Sequence, residues 1–385
     1  MKLLVWQWGR RGGAPRFAAA LAAGARRLPG VAVDLSLAAA AELHQAPDAP
    51  VCALAVPTYT SGPTFLRRLL GLPMLRRGLR RRLAALAPDV AICAQPGPLD
   101  LAMLGALHDL GVPVAVVVHD ADAHPGDGFP LLMALQRALT RRADLVVALS
   151  GHVGARLRAQ GLVAGGAGSD DLPPLLIARH PPTQYGIATP AAAHDGPHRL
   201  LFFGRLLQYK GLDLLDEALA QLGPRGDFVL RVVGSGPDSA ELARLAARPG
   251  VTVENRWVAE AEMPALIAWA DLLVLPYREA SQSGVAATAI AAQRRVISTR
   301  VGGLVEQLGG EALATLCPAD GASLAAAIAA YLDDPPPPPP ARDAAPVEAA
   351  WRDFAGEILA ALERAAPAPL PGSPPRGHAA GSPAG

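Results

Sequence analysis

Apolar residues in this chain fall into short unbroken runs. Runs rich in Val, Ile, Leu and Phe occupy residues 2–6, 31–35, 51–56, 90–93, 112–118 and 145–149, and a second series occupies 199–203, 228–233, 251–254, 272–275 and 295–298. Between them lie Ala/Leu-rich stretches whose apolar positions recur at helical spacing. Strands this apolar, bounded by turn residues and alternating with helices, are buried parallel strands covered on both faces. Two such series predict an α/β fold of two doubly wound, Rossmann-like domains.

The pattern weakens over residues 160–196, where GGAGSDDLPP, HPPTQYG and TPAAAHDGP are dominated by Pro, Gly and small residues. That composition suits a hinge-like connection. The predicted layout is a first domain over 1–180, a linker over 181–198 and a second domain over 199–334. A Pro-rich spacer follows over 335–345, built on six consecutive prolines that favour a stiff polyproline II segment. Residues 346–366 have helical period, with Trp351, Phe354, Ile358 and Leu362 on one face, and 367–385 read as a disordered tail.

Composition narrows the function. The 385 residues carry a net charge of only +1, which argues against a general polyanion binder such as a nucleic-acid protein. The charge is uneven, however: residues 1–100 hold thirteen basic and five acidic side chains. Cys52, Cys93 and Cys317 stand far apart, which fits neither a disulfide frame nor a zinc site and points to a reducing, cytoplasmic compartment. No apolar run reaches membrane-spanning length, and the apolar run of MKLLVWQWGRRGG is too short for a signal peptide.

The strongest chemical signal is LLFFGRLLQYKGLDLLDEALAQL, residues 200–222. A strand ends at Gly204, a loop carries Arg205 and Lys210, and an amphipathic helix follows. Free N–H groups and the positive end of a helix beside two cations suit a diphosphate. Lys210 stands out because the chain has only two lysines against 33 arginines. A lysine there supplies a compact ammonium in place of a planar guanidinium. A second Gly-rich turn, VVGSGPD, places Gly234 and Gly236 between strand and helix; alone it is a weak signal. In PYREASQSGVAATAIAA, Ser283 and Gly284 open an apolar helix whose N–H groups can cradle phosphate, and Glu279 just before it offers a carboxylate to sugar hydroxyls.

GRLLQYKG, VVGSGP, ADLLVLPYREASQSG and VISTRVGGLVEQL, in that order, resemble the C-terminal half of retaining GT-B glycosyltransferases of the family 4 type (group 1). GRRGGAPRF, the pair His119–Asp120 and RADLVVALS resemble the N-terminal half more loosely. The resemblance implies two domains facing a cleft, with a nucleotide-diphosphate sugar on the second and the acceptor on the first. It implies hexosyl transfer with retention, without a metal and without a cofactor, the donor serving as co-substrate. By position, Arg205 and Lys210 match the diphosphate pair, Ser283 and Gly284 the phosphate-contacting turn, and Glu279 the first glutamate of a Glu-x7-Glu motif. Gly12 and Gly13 match the glycine loop and His119 the active-site histidine, while the helix around Trp351 matches a segment that crosses back to the first domain. Ala287 and Thr288 stand where the second glutamate belongs, and Gln293-Arg294-Arg295-Val296 replaces Gly-x-Pro-Val. A nucleotide-sugar epimerase of the same architecture and a non-catalytic sugar-nucleotide binder are the alternatives. A nicotinamide dehydrogenase is disfavoured, because no strand leads into GxGxxG.

Two further clusters were weighed. His119-Asp120-Ala121-Asp122, with His124 beyond, is read first as a sugar-contacting loop, then as a capping loop, and last as a metal site. His180 is read as linker. Residues 65–87 carry seven arginines and no acid; Leu75, Leu79, Leu83 and Leu86 form one helical face, and Arg76, Arg77, Arg80 and Arg81 the other. Such a helix either packs on the core with a solvated basic face or lies on an anionic membrane. The second fits a lipid-linked or glycan acceptor in cell-envelope synthesis, reached from the inner face of the membrane.

Overall fold

A computed structural model describes residues 1–124, 130–165, 171–185, 194–337, 339 and 345–365. It contains two all-parallel sheets. The first is built from β1 (Lys2–Gln7), β2 (Ala32–Ala38), β3 (Leu54–Val56), β4 (Val90–Cys93), β5 (Val114–Val118), β6 (Leu145–Ala148) and β7 (Leu175–Ile177), in the order β3-β2-β1-β4-β5-β6-β7. The second uses β8 (His198–Arg205), β9 (Phe228–Ser235), β10 (Val251–Asn255), β11 (Leu272–Leu275), β12 (Arg295–Thr299) and β13 (Ala314–Cys317), in the order β10-β9-β8-β11-β12-β13. Helices α1 (Gly13–Ala25), α2 (Gly62–Leu70), α3 (Leu72–Leu86), α4 (Asp100–His108), α5 (Pro130–Thr140) and α6 (Gly151–Ala159) belong to the first unit. Helices α7 (Leu212–Leu222), α8 (Ala240–Ala246), α9 (Met263–Trp269), α10 (Gly284–Ala291), α11 (Leu304–Leu308) and α12 (Gly321–Asp333) belong to the second, and α13 (Ala345–Ala365) follows.

The predicted strands appear with ends shifted by a few residues, and two strands were missed. β7 lies inside the stretch read as a break, hidden by its flanking prolines, and pairs with β6. β13 is the weakly apolar ATLC, held by pairing to β12. Parts of the linker (186–193), of the Pro-rich spacer (338 and 340–344) and the whole 367–385 tail lie outside the described residues.

Each sheet reverses its strand order at one place, β1 against β4 and β8 against β11. Loops leaving neighbouring strands there diverge to opposite faces and open a crevice at the strands' C-terminal ends. The crevices carry residues 8–12 and 94–99 in the first unit, and 206–211 and 276–283 in the second. The sequence packs each sheet tightly enough to hold them. β5, VAVVV, is buried along its whole length, and separate apolar clusters cover the two faces of the second sheet.

The last helix returns to the first unit. Trp351, Phe354, Ile358 and Leu362 of α13 join the first core, and the Trp351 indole N–H donates to the Pro182 carbonyl at 2.7 Å. Small residues let α13 lie against α1: a Cβ at Gly24 would stand 2.5 Å from the backbone carbon of Trp351. Polar groups join the two units elsewhere. The Arg16 guanidinium reaches both Asp48 of its own unit and Glu260 of the other, at 2.6 and 2.5 Å. The Glu306 carboxylate accepts from the N–H groups of Gly151 and His152, at 2.6 and 2.9 Å, and so caps α6 from across the interface.

Gly24→Ala is expected to destabilise the first unit by about 1–3 kcal/mol through overpacking. Thermal unfolding would read this as a lowered midpoint, and an unchanged midpoint would show that α13 does not press on α1.

Candidate active site

The two crevices face each other across a cleft of about 520 Å³. From the second unit, the β8 end and the loop to α7 contribute Gly204, Arg205, Tyr209 and Lys210, and α10 contributes Ser283, Gly284, Val285 and Thr288. From the first come Gly12 and Gly13 at the start of α1, together with His119, Asp120 and His124 after β5.

Lys210 is buried, with its ammonium 3.6 Å from the centroid of the Tyr277 ring and 5.0 Å from that of Tyr209. Aromatic faces attract a cation but do not neutralise it. Burial therefore pulls its pKa down to about 8. The Arg205 guanidinium donates to the Tyr209 hydroxyl at 2.7 Å, so both cations rest on one ring. The turn that holds them depends on glycine. Gly211 has φ 70°, and a Cβ there would lie 1.8 Å from the Pro276 carbonyl oxygen.

At α10 the reading for Ser283 changes. Its side chain accepts from the Ala286 N–H at 3.2 Å as a helix cap, and its own N–H is taken by the Gln307 side chain at 2.8 Å. The Gln307 amide also donates to the Ser283 carbonyl at 2.9 Å. Gln307 thus braces the turn; Gly284 and Val285, whose N–H groups lie in the first helical turn and so have no intrahelical acceptor, line the cleft. The N-terminus of α1 also reaches the cleft, with Arg11 beside Gly12 and Gly13.

His119 is buried. Its Nε2 lies 2.9 Å from the Ala94 carbonyl and its Nδ1 3.4 Å from the Gln282 amide of the other unit. The carbonyl requires an N–H on Nε2, which leaves Nδ1 as acceptor. Burial lowers its pKa and keeps the ring neutral. His180 belongs to this wall and not merely to the linker. It lines the cleft, and its ring lies 6.1 Å from that of His119. Phe17 packs edge-on against both histidines and against Trp351, which ties the cleft wall to α13.

Several sequence-based assignments fall elsewhere. Glu279 is outside the cleft lining and half-exposed, with its carboxylate 3.3 Å from His124 Nδ1. Thr288, from the position after the expected second glutamate, does line the cleft. Gly234 lines it too, but Gly236 does not. A Cβ at Gly236 would fall 2.1 Å from the Leu206 carbonyl oxygen, so this glycine serves backbone packing. Within HDADAH, Asp122 turns to Arg156 and Gln160 while Asp120 turns to His124. No group of three metal-ligating side chains forms among the described residues. In the altered turn after α10, Gln293 holds φ 54°, a conformation that glycine adopts freely. Arg294 is buried there, donating to the carbonyls of Ile267 and Ala292. Neither lines the cleft.

Arg76, Arg77 and Arg80 line a different pocket, of about 510 Å³, with Asp109 and Arg142 over Leu72 and Leu101. Leu79 and Leu83 are buried and Leu75 and Leu86 half-buried, with Arg76, Arg77, Arg80 and Arg81 exposed. Arg76 is paired bidentately with Asp109. Tyr209, Tyr277, Gln282 and Gln307 were missed, because nothing in their spacing marks them; the sheet crossovers alone bring them together.

Comparisons with known proteins agree with this geometry. The family model described as Glycosyl transferases group 1 matches residues 197–334, and that of Glycosyltransferase Family 4 matches 11–165. Between them they take in more than half of the chain, and it belongs to the group 1, family 4-like glycosyltransferases. A 2-deoxystreptamine glucosyltransferase from Streptomyces kanamyceticus is 33% identical over 112 residues, which is 28% of this chain and 29% of that protein. Among solved structures, Anabaena HepE in complex with UDP-glucose superposes with a TM-score of 0.61 at 16% identity, covering 95% of this chain and 98% of that one. A UDP-GlcNAc 2-epimerase from Neisseria meningitidis, bound to UDP-GlcNAc, gives 0.55 at 10% identity over 94% and 100%. These likenesses establish the two-domain GT-B fold.

The lowered pKa of Lys210 has a consequence for binding. An anion gains most from the protonated ammonium, so affinity for a nucleoside diphosphate is expected to fall as pH rises through about 8. Calorimetric titration with UDP between pH 7 and 9 checks this. Lys210→Met should flatten that limb, and a Met variant that keeps it would assign the limb to another group.

Proposed function

We propose that the protein transfers a sugar from a nucleotide-diphosphate sugar to a glycan or lipid-linked acceptor, with retention and without a metal. The observation that carries this reading is the pair Arg205 and Lys210. They stand at a topological switch point, with Lys210 buried on two aromatic rings and the first turn of α10 across from them. Such a surface suits a polyanion. The UDP-glucose bound by HepE and the glucosyl transfer named for the Streptomyces relative support a sugar nucleotide as that anion. The match to the curated relative spans under a third of its length, and the donor base, sugar and acceptor stay open.

In the reaction, the bond from the sugar C1 to the diphosphate oxygen breaks and the acceptor oxygen bonds to C1. The acceptor proton passes to the departing diphosphate, giving a glycoside and a nucleoside diphosphate. Charge moves onto the leaving oxygen as the sugar becomes oxocarbenium-like. Arg205, Lys210 and the N–H groups of Gly284 and Val285 are preorganised to receive that charge. His119, neutral and buried across the cleft, faces the space for the sugar from the acceptor side. A front-face route needs no protein nucleophile.

The 2-epimerase fold neighbour keeps an alternative in play, in which the donor is rearranged without an acceptor. Incubation with a sugar nucleotide alone separates the two: a new sugar epimer identifies an epimerase, and slow hydrolysis a transferase. For the transferase, Arg205→Ala and Lys210→Ala are each expected to lower donor turnover by roughly 100-fold or more, as for loss of one oxyanion donor. Thermal unfolding should stay close to that of the unaltered protein. Full turnover by both variants would remove the diphosphate assignment.

We further propose that the protein works from the cytoplasm at an anionic membrane face. No described helix is long and apolar enough to cross a membrane. Leu66, Leu70 and Met74, at i, i+4 and i+8 across α2 and α3, are 57%, 76% and 72% exposed. The exposed Arg77, Arg80 and Arg81 follow on α3. Apolar side chains next to arginines suit the headgroup region of anionic lipid, where each cation contributes about 1 kcal/mol. Co-sedimentation with phosphatidylglycerol vesicles should exceed that with phosphatidylcholine vesicles and weaken with salt. The double variant Arg77→Glu/Arg80→Glu should lose most of it, and equal binding to both lipids would exclude this surface.

A further inference from the structure

His124 is an unexpected member of the cleft. It follows β5 in the first unit, and its ring is buried and parallel to the Tyr209 ring of the second, with centroids 4.3 Å apart and planes 9° apart. Its Nε2 lies 3.0 Å from an Asp120 carboxylate oxygen and its Nδ1 3.3 Å from one of Glu279. Ionised carboxylates only accept, so the imidazolium form, with hydrogen on both ring nitrogens, is the one that can donate to both. Asp120 comes from the same loop as His124, whereas Glu279 and Tyr209 come from two separate loops of the second unit. One ring therefore spans the interface and touches the aromatic face on which the cleft cations rest. The Tyr209 hydroxyl takes the Arg205 guanidinium at 2.7 Å, and the Lys210 ammonium stands 5.0 Å from the ring centroid.

We propose that His124 is a trans-domain positioning residue: clasped by Asp120 and Glu279 and stacked on Tyr209, it fixes the Tyr209–Arg205–Lys210 face for the diphosphate and couples closure of the two units to grip on the donor. The proposal rests on the donor reading above. It gives Glu279 a role other than the sugar contact suggested by its place in the sequence. The carboxylate acts through His124, and the family's first-glutamate position does not by itself put it in the cleft.

The electrostatic surroundings agree. Asp120, Glu279 and Lys210 face the ring, Tyr209 stacks on it, and Arg205 lies one group beyond, through Tyr209. Burial works against the charged ring, yet the Asp120 hydrogen bond and charge, followed by the Glu279 charge, outweigh burial and the opposing Lys210, and the His124 pKa is raised. A group whose pKa is raised in the joined state favours that state fully below its ordinary value. The favour is lost as pH rises through the raised one. The coupling is thus strongest near and below neutrality and fades on the alkaline side.

The test uses the full chain and UDP, GDP and ADP as probes. His124→Phe keeps a stacked ring and removes both N–H donors; Glu279→Gln keeps the shape and removes the charge. Nucleotide binding by calorimetry at pH 6.5 to 9 is run beside imidazole NMR titration of the unliganded protein, with thermal unfolding as the check on folding. The expected result has five parts. His124 titrates above an ordinary histidine, and Glu279→Gln moves it down. His124→Phe binds diphosphate about tenfold more weakly near pH 6.5, and the gap closes toward pH 9. Because the Lys210 limb persists in both proteins, their difference isolates His124. In turnover, the donor KM should rise more than kcat falls. Folded His124→Phe with unaltered affinity at every pH, or a His124 that titrates at or below the ordinary value, overturns the proposal. An unaltered protein that binds none of the three nucleotides instead overturns the donor reading on which it rests.

Discussion

The cleft is organised around a buried ammonium seated on two aromatic rings, with the Asp120 carboxylate acting on it only from a distance. Lys210 sits on the faces of Tyr277 and Tyr209, which attract it without cancelling its charge. A buried charge is costly, and strongly perturbed cations of this kind are concentrated at functional sites. The surrounding features serve that arrangement. Gly211 lets the loop turn against Pro276, the Tyr209 hydroxyl holds Arg205, and Gln307 braces the start of α10 where Gly284 and Val285 line the cleft. Because Tyr209 also stacks on His124, the second unit's cation-bearing face is not independent of the first.

That dependence recurs along the interface. Arg16 joins Glu260 to Asp48, Glu306 caps α6, and the Ser150 hydroxyl donates to the Ser281 carbonyl at 2.9 Å. These contacts are polar and mostly charge-assisted, unlike the apolar packing inside each sheet layer. Polar contacts of this kind open and close at modest cost, whereas an apolar core cut in half would not. The site is thus divided between two units whose meeting edge is made largely of ion pairs, helix caps and the His124–Tyr209 stack.

Much of this was visible in the chain, and the limits are instructive. The strand runs, the Gly204–Lys210 loop and the small residues opening α10 were readable because each signal is local. A parallel strand buried on both faces has to be apolar, and a phosphate loop needs glycine and cations close together. The weaker strands β7 and β13 were not readable, since their neighbours hold them in place more than their own composition does. Glu279 shows the same limit at the site. Its spacing from the helix suggested a sugar ligand, but spacing along a loop does not determine the direction of a side chain, and the carboxylate turns to a histidine 155 residues away. His180, read as linker, proved to be cleft wall for the converse reason.

The sequence by itself determined two doubly wound layers and the kind of chemistry: cations and helix N-termini at the ends of strands, suited to an anionic leaving group. It did so because burial and turn geometry act on residues near one another in the chain. Only the tertiary structure decided which of those residues meet. The pairing of His124 with Glu279, the bracing of Ser283 by Gln307 and the seating of Lys210 on Tyr277 join segments that the chain keeps apart. Their distances depend on how the crossovers pack and how the two units dock, which no local pattern encodes.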